Sequence, residues 1–203
     1  MPEFHLACQT ITFGPDQRDR FDDVFSAVHQ AGYPAVEIGL RHWVDLPRRR
    51  FQEMLLGHGL KLAASHIGGN LEDADQAEGE RRVLDVALDA LNALHVRFLM
   101  YSGLRFESDE QLAGDIAMLN RAAEQCEHRG VRLCYHNHNW EFADGARIMN
   151  ALIAEGSEQL GFCPDVGWVH KGGADVIPFL ERIRTRMQVM HFKDFATRGE
   201  GVD

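Results

Sequence analysis

One pattern governs what this chain can fold into. A short apolar, β-prone run is followed by an amphipathic helical segment, and the pair repeats along nearly the whole sequence. The β-prone runs are Phe4–Phe13, Ala35–Leu40, Lys61–His66, Arg97–Ser102, the run opening at Val131, Leu160–Cys163 and Met187–Phe192. Between them the apolar residues step by three and four, the period of a helix with one buried face. Phe21, Val24, Phe25 and Val28 follow Asp16 as a cap and stop at Gly32. Phe51, Met54 and Leu55 belong to a helix from about Asp45 that closes at Gly59. Val83, Val86, Ala87, Ala90, Leu91 and Leu94 form a third stripe. Ser108 with Gln111 reads as a capping box before Leu112, Ile116, Leu119, Ala123 and Cys126, with Gly130 as the stop. Ile148, Leu152 and Ile153 make a short helix ending at Gly156, and Asp175 with Pro178 starts another through Phe179, Leu180 and Ile183.

Strands that alternate with helices must run parallel, because a tight hairpin can join only antiparallel neighbours. No Gly-x-Gly-x-x-Gly follows the first strand, so the pattern predicts a (β/α)8 barrel of the TIM type rather than a dinucleotide-binding sheet. Seven strands are visible, and Gly199-Glu200-Gly201-Val202-Asp203 reads as a loop after the seventh. The expectation is a single domain over residues 1–203, C-terminally incomplete, with the eighth strand beyond Asp203.

The charge balance narrows the partners. A formal net charge of −10 over 203 residues speaks against nucleic acid, whose phosphates need a basic face. Cys8, Cys126, Cys134 and Cys163 are too widely spaced for a zinc knuckle or redox dithiol and read as reduced core thiols. No apolar run reaches membrane-spanning length, and Met1-Pro2-Glu3-Phe4 lacks the start of a signal peptide, so a cytoplasmic protein is expected. Arg48-Arg49-Arg50 reads as a solvated face and Lys171-Gly172-Gly173 as a turn.

In a (β/α) barrel the chemistry sits at the C-terminal strand ends. Those ends offer Glu37, His66 before Gly68-Gly69-Asn70, His136 and His138, Asp165, and His191 with Lys193. Singly, each could be a hydrogen-bonded turn residue. Together they are hard to explain as structure, since an unsatisfied buried polar group costs roughly 1–3 kcal/mol and a charge more. Strand parity puts Cys134, His136 and His138 on one face, Cys163 with Asp165 on another, and Val189, His191 and Lys193 on a third. Imidazole and carboxylate together suit a catalytic divalent metal with room for water or substrate, with Asp165 and His191 as the firmest ligands and His136 the third. Nitrogen-rich ligation points to manganese, cobalt, zinc or iron over calcium, with magnesium also in the set.

Tyr135-His136-Asn137-His138-Asn139-Trp140-Glu141-Phe142, Pro164-Asp165-Val166-Gly167-Trp168 and His191-Phe192-Lys193-Asp194, in that order, resemble the xylose isomerase-like TIM-barrel superfamily, specifically its sugar phosphate isomerase/epimerase branch. Val36-Glu37-Ile38 and Ser65-His66 fit as well. The resemblance implies metal ligation by His136, Asp165 and His191, with a fourth ligand, a Glu, on strand eight. It implies an isomerase or epimerase acting on a sugar, keto-sugar or cyclitol through an enediolate formed next to a carbonyl. Glu37, His66 and Lys193 are then the candidate catalytic groups, and His138, Glu141 and Trp168 line the substrate or support the ligands. Many relatives have a Glu in place of His136, serving as ligand and proton carrier, and often a His in place of Trp168; the first difference leans toward dehydratase or keto-sugar chemistry, with an inosose dehydratase-like lyase as the alternative. A small carbohydrate is the expected partner, with or without self-association. Two other readings remain: an abasic-site endonuclease, which needs a basic DNA-binding face, and a truncated, non-catalytic barrel.

Overall fold

The structure is a computed structural model that describes residues 5–68 and 77–195, with side chains described in those ranges except at 77–83. Its elements are β1 (Cys8–Gln9), α1 (Phe21–Gln30), β2 (Ala35–Gly39), α2 (Arg48–Gly57), β3 (Lys61–Gly68), α3 (Ala77–Ala93) and β4 (Phe98–Ser102). They continue with α4 (Asp109–His128), β5 (Arg132–His136), α5 (Ala143–Glu155), β6 (Gly161–Cys163), α6 (Val166–Lys171) and α7 (Val176–Ile183). The strands lie in the sheet in chain order, β1-β2-β3-β4-β5-β6, with parallel pairing. Order without reversal is the progression of a (β/α) barrel; a doubly wound sheet switches direction partway. Gly69, Asn70, the side chain of Val83 and the loop at Gly199–Asp203 lie outside the described residues.

Two compact units form within the chain. One takes the described residues up to Ile67, those from α3 through Met100, and His128–Val131. Its core includes an aromatic cluster. Phe21 stacks on Phe25 with ring centroids 5.0 Å apart, Trp43 stacks on Phe51 at 5.1 Å, and Phe21 and Phe51 meet at 5.8 Å. The Trp43 indole N–H donates to Ser65 Oγ (3.1 Å), whose hydroxyl donates to the Ile38 carbonyl (2.6 Å), so the buried polar atoms are satisfied. The other unit takes Gly68, Tyr101–Glu127 and the described residues from Arg132 onward, around Leu119, Leu133, Tyr135, Leu152, Phe162 and Val169.

Helical periodicity places the buried faces. All four predicted positions of α1 are buried, as are Leu112, Ile116, Leu119, Ala123 and Cys126 of α4. Ser108 Oγ accepts the Gln111 N–H at 3.1 Å, while Gln111 Oε1 reaches the Glu107 N–H rather than the cap's own amide. Gly130 follows at φ +72°, a left-handed conformation. Val86 departs from its stripe and is 47% exposed.

Polar pairing accounts for the differences from the sequence reading near the N-terminus. The first strand is only Cys8–Gln9. Thr10 turns inward, fully buried, where its hydroxyl bonds Gln17 Oε1 and the Glu37 carbonyl, and a 3-10 turn replaces the rest of the strand. Asp16 pairs with Arg20 at 3.1 Å and caps nothing through its side chain. Asp45 pairs with Arg18 at 2.9 Å, and α2 starts only after Pro47. Helix α6 is an addition, and α5 begins with left-handed backbone at Asp144, Gly145 and Ala146 before its regular turns.

The seventh strand is reduced to two bridges, Phe162↔Met187 and Asp165↔His191. Asp165 lies three positions after Phe162, but His191 lies four after Met187, so one extra residue is accommodated on the later segment. The cause lies at Pro164. The Phe162 N–H donates to the Arg186 carbonyl (2.8 Å) and its carbonyl accepts from Gln188 (3.0 Å), but proline has no N–H for the next rung. Pairing resumes one residue later, with the His191 N–H on the Pro164 carbonyl (2.9 Å) and the Val166 N–H on the His191 carbonyl (3.1 Å).

Phe51 touches both halves of the aromatic cluster and is fully buried. Phe51→Ala is expected to lower unfolding free energy by about 3–5 kcal/mol in urea titration, the usual cost of an emptied aromatic site.

Candidate metal centre

Three side chains converge from consecutive elements of the second unit. His136 is the last residue of β5, Asp165 stands between β6 and α6, and His191 is its bridge partner. Their ligand atoms all lie within 4.8 Å of one another, and His136 Nε2 is 3.4 Å from Asp165 Oδ2. Ligands about 2.1 Å from a tetrahedral ion sit about 3.4 Å apart, so this edge already has the right length for a first-row divalent metal. Two imidazoles and one carboxylate on a buried floor therefore fit such an ion. Asp165 and His136 are almost completely buried, at 0% and 2% exposure.

Asp165 is held from every side. Its Oδ1 accepts the Trp168 N–H at 3.1 Å and so caps α6, while Oδ2 faces His136 and the Lys193 ammonium, 3.1 Å away. Asn137 braces the backbone: its Oδ1 accepts the Asp165 N–H (3.0 Å) and its Nδ2 donates to the Asp165 carbonyl (3.3 Å). Burial works to raise the Asp165 pKa, but the contact with His136 and the Lys193 charge outweigh it and hold the carboxyl below its ordinary value. The group is a carboxylate at neutral pH, as a metal ligand must be.

Lys193 is brought in by close backbone approach. A Cβ on Gly167 would lie 2.7 Å from the Lys193 carbonyl and 2.9 Å from its Cβ, so the glycine of the Asp165-Val166-Gly167-Trp168 motif lets α6 pack directly on this segment. Trp168 is buried on α6, its ring 4.6 Å from Phe195 and with Lys193 Nζ 5.5 Å from its centroid.

Strand parity reaches His136 but not His138, because β5 ends at His136 and His138 sits in the loop beyond it. The two rings nevertheless meet edge to face at 5.0 Å, and His138 lies 5.7 Å from Trp168. Glu141, fully buried, shapes that loop: Oε1 accepts the Tyr135 hydroxyl and Oε2 the His138 N–H, each at 2.8 Å. Burial raises the Glu141 pKa against these donors. Burial, with Glu141 beside it, pushes Tyr135 well above its ordinary value and keeps the phenol a donor.

In the first unit, Glu37 on β2 and His66 on β3 form their own pair. His66 Nδ1 lies 3.9 Å from Glu37 Oε1, which also accepts from Gln9 Nε2 at 3.0 Å. Sequence reasoning missed Gln9 and Asn137. The signal for Asn137 was its place between two candidate histidines, but an amide reveals its acceptor only when the facing backbone is known.

Both Glu141 oxygens accept, so an amide cannot replace the carboxylate: its NH2 would confront one of the two donors. Glu141→Gln is expected to cost about 1–3 kcal/mol in thermal or chemical unfolding, and more than Tyr135→Phe, which removes one partner only.

Comparison with known proteins identifies relatives in sequence and in fold. An inosose dehydratase of Geobacillus kaustophilus (strain HTA426) is 25% identical over 191 residues, covering 85% of this chain, which in turn spans only 61% of that relative. A sugar phosphate isomerase/epimerase from Parabacteroides distasonis superposes with a TM-score of 0.81 at 21% identity, over 98% of this chain and 79% of that one. An IolI protein with a bound zinc atom superposes at 0.69 with 16% identity, over 95% and 74%. The sequence profile of the xylose isomerase-like TIM barrel matches residues 25–203, and with parallel strands in barrel order and a His/Asp/His cluster at their ends, this chain belongs to that family.

Proposed function

We propose that this chain carries the metal-binding half-site of an enzyme that moves a proton next to a carbonyl on a sugar, keto-sugar or cyclitol, giving isomerisation or epimerisation. The observation that carries the reading is the buried cluster of His136, Asp165 and His191 with an ammonium against the same carboxylate. Its nitrogen-rich donor set suits zinc, cobalt, iron or manganese, with magnesium the hardest ion it would take. A divalent ion bound there supplies Lewis-acid stabilisation of negative charge developing on substrate oxygen.

The remaining work falls to the chain's own groups. Asp165 contributes a fixed negative charge that needs no deprotonation at neutral pH. Lys193, about a third exposed, extends its ammonium from that carboxylate toward solvent, where it can hold a substrate oxygen and neutralise charge on it. Trp168 and His138, whose rings lie 5.7 Å apart beside the cluster, are assigned to the wall of the substrate site. His136 stands where a carboxylate could both ligate and carry a proton. An imidazole committed to ligation cannot do the second, and this favours a second reading, a lyase that removes water from an inosose-like substrate. The 25% identity to an inosose dehydratase supports it too. Incubating the protein with ketosugars and with inososes and following products by NMR separates the two: epimer or aldose signals support the first, a dehydrated enone or diketone the second.

Metal binding itself is testable on the purified protein. After chelation, saturating Co²⁺ or Zn²⁺ at 100 times its Kd is expected to add about 2.7 kcal/mol, raising Tm by roughly 5–10 °C. Asp165→Asn keeps the oxygen that caps α6 but turns an NH2 toward the Lys193 ammonium and lacks the charge, so it is expected to lower the metal-free Tm and to lose the metal-dependent shift. A wild-type melting curve unmoved by Mn²⁺, Co²⁺ and Zn²⁺ would instead support a non-catalytic barrel. Lys193→Met is expected to retain metal and lose about 10²–10³-fold in kcat, as for loss of one charge-stabilising donor.

A further inference from the structure

The loop after β4 carries a cation with an unusual seat. The Arg105 guanidinium carbon lies 3.4 Å from the centroid of the Trp140 ring, and Trp140 in turn stacks on His138 at 4.2 Å with 10° between the planes. His138 then stands edge-on to the ligand His136 at 5.0 Å and 82°. Guanidinium, indole and imidazole thus form a three-layer stack ending on the ring that the metal reading uses.

Two further ties hold the stack's outer layer. The Trp140 indole N–H donates to the Leu104 carbonyl at 3.0 Å, next to Arg105 itself, which fixes the indole to the β4 loop. On the other side of that loop, Arg147 lies over the Phe106 ring at 4.2 Å and pairs with Asp109 at 3.2 Å. The loop after β4 is therefore held at two places within one unit, by Trp140 in the loop after β5 and by Arg147 of α5, each through a cation on an aromatic face. Glu141 adds the backbone restraint at the His138 N–H.

From this geometry we infer that Arg105 and Trp140 are positioning residues for the metal centre: they clamp His138, and His138 sets the orientation of the His136 ring. The inference rests on His136 being a ligand. The physical ground is rotational. An imidazole at a strand end turns about its side-chain bonds unless neighbours stop it, and groups that fix ligand orientation typically govern metal affinity by 10–100-fold. A planar guanidinium stacks on an indole face along its whole width, whereas an ammonium touches it at a point. Arg105 is exposed and outside the core, so removing it leaves the folded unit standing.

The test uses Co²⁺ with the chelated wild type, Arg105→Ala, Arg105→Lys and Trp140→Phe, measuring affinity by competition and the visible d–d spectrum of the bound ion. Arg105→Ala is expected to bind about tenfold more weakly with a shifted spectrum, Arg105→Lys to recover part of the affinity, and Trp140→Phe, which keeps a ring but loses the tether to Leu104, to fall between. Affinity and spectrum identical to wild type in all three variants would overturn the inference while leaving the metal centre in place, and a fall in Tm alone would show the stack to be merely structural. A wild type that takes up no Co²⁺ would overturn both readings together.

Discussion

The Asp165 carboxylate is the point on which the second unit's architecture and its chemistry both depend. One oxygen begins α6 by accepting the Trp168 N–H; the other faces His136 and Lys193. A single side chain thus fixes the direction of a helix and the centre of a charge cluster. Neither role is available to a neutral residue at full strength. The amide brace from Asn137 on both backbone groups of Asp165 makes this position rigid before any ligand arrives. Preorganisation of that kind is what lets a polar site stabilise developing charge without first rearranging.

The site's remaining parts are arranged by small packing decisions around that carboxylate. Gly167 lets the backbone at Lys193 approach α6 closely enough for the ammonium to reach Asp165. Glu141 draws the His138 amide and the Tyr135 hydroxyl onto one buried carboxylate, which curls the loop after β5 so that His138 returns toward His136. These are short, satisfied polar contacts inside an apolar shell, where a lost partner leaves a group stranded.

How far the sequence foretold this depends on the kind of feature. Helices with a long apolar stripe, such as α1 and α4, were legible because burial repeats at the helical period over several turns. Helix α6 was not: Val166–Lys171 is too short to show a period, and its start is set by an Asp cap that reads equally well as a turn. Strand boundaries failed where polar pairing intervened, as at Thr10. His136, Asp165, His191 and Lys193 were legible as strand-end groups because the fold class told where strand ends gather. Arg105, Asn137 and Gln9 were silent, since their roles come from what faces them across a loop or strand and not from spacing along the chain. His138 was found for a reason the structure does not use, since strand parity stops at His136 and loop curvature takes over.

The slip at Pro164 has a meaning beyond the shortened strand. With the pairing of Phe162 and Met187 continued evenly, Asp165 would sit beside Met190; the extra residue seats His191 there instead. Neighbouring residues on a strand point to opposite faces. The hydrogen that proline lacks therefore acts as a selector of face, exchanging a thioether for an imidazole at the carboxylate's side. The Pro164-Asp165 dipeptide and the spacing to His191 form one unit of information: changing either alone would aim a different side chain into the site.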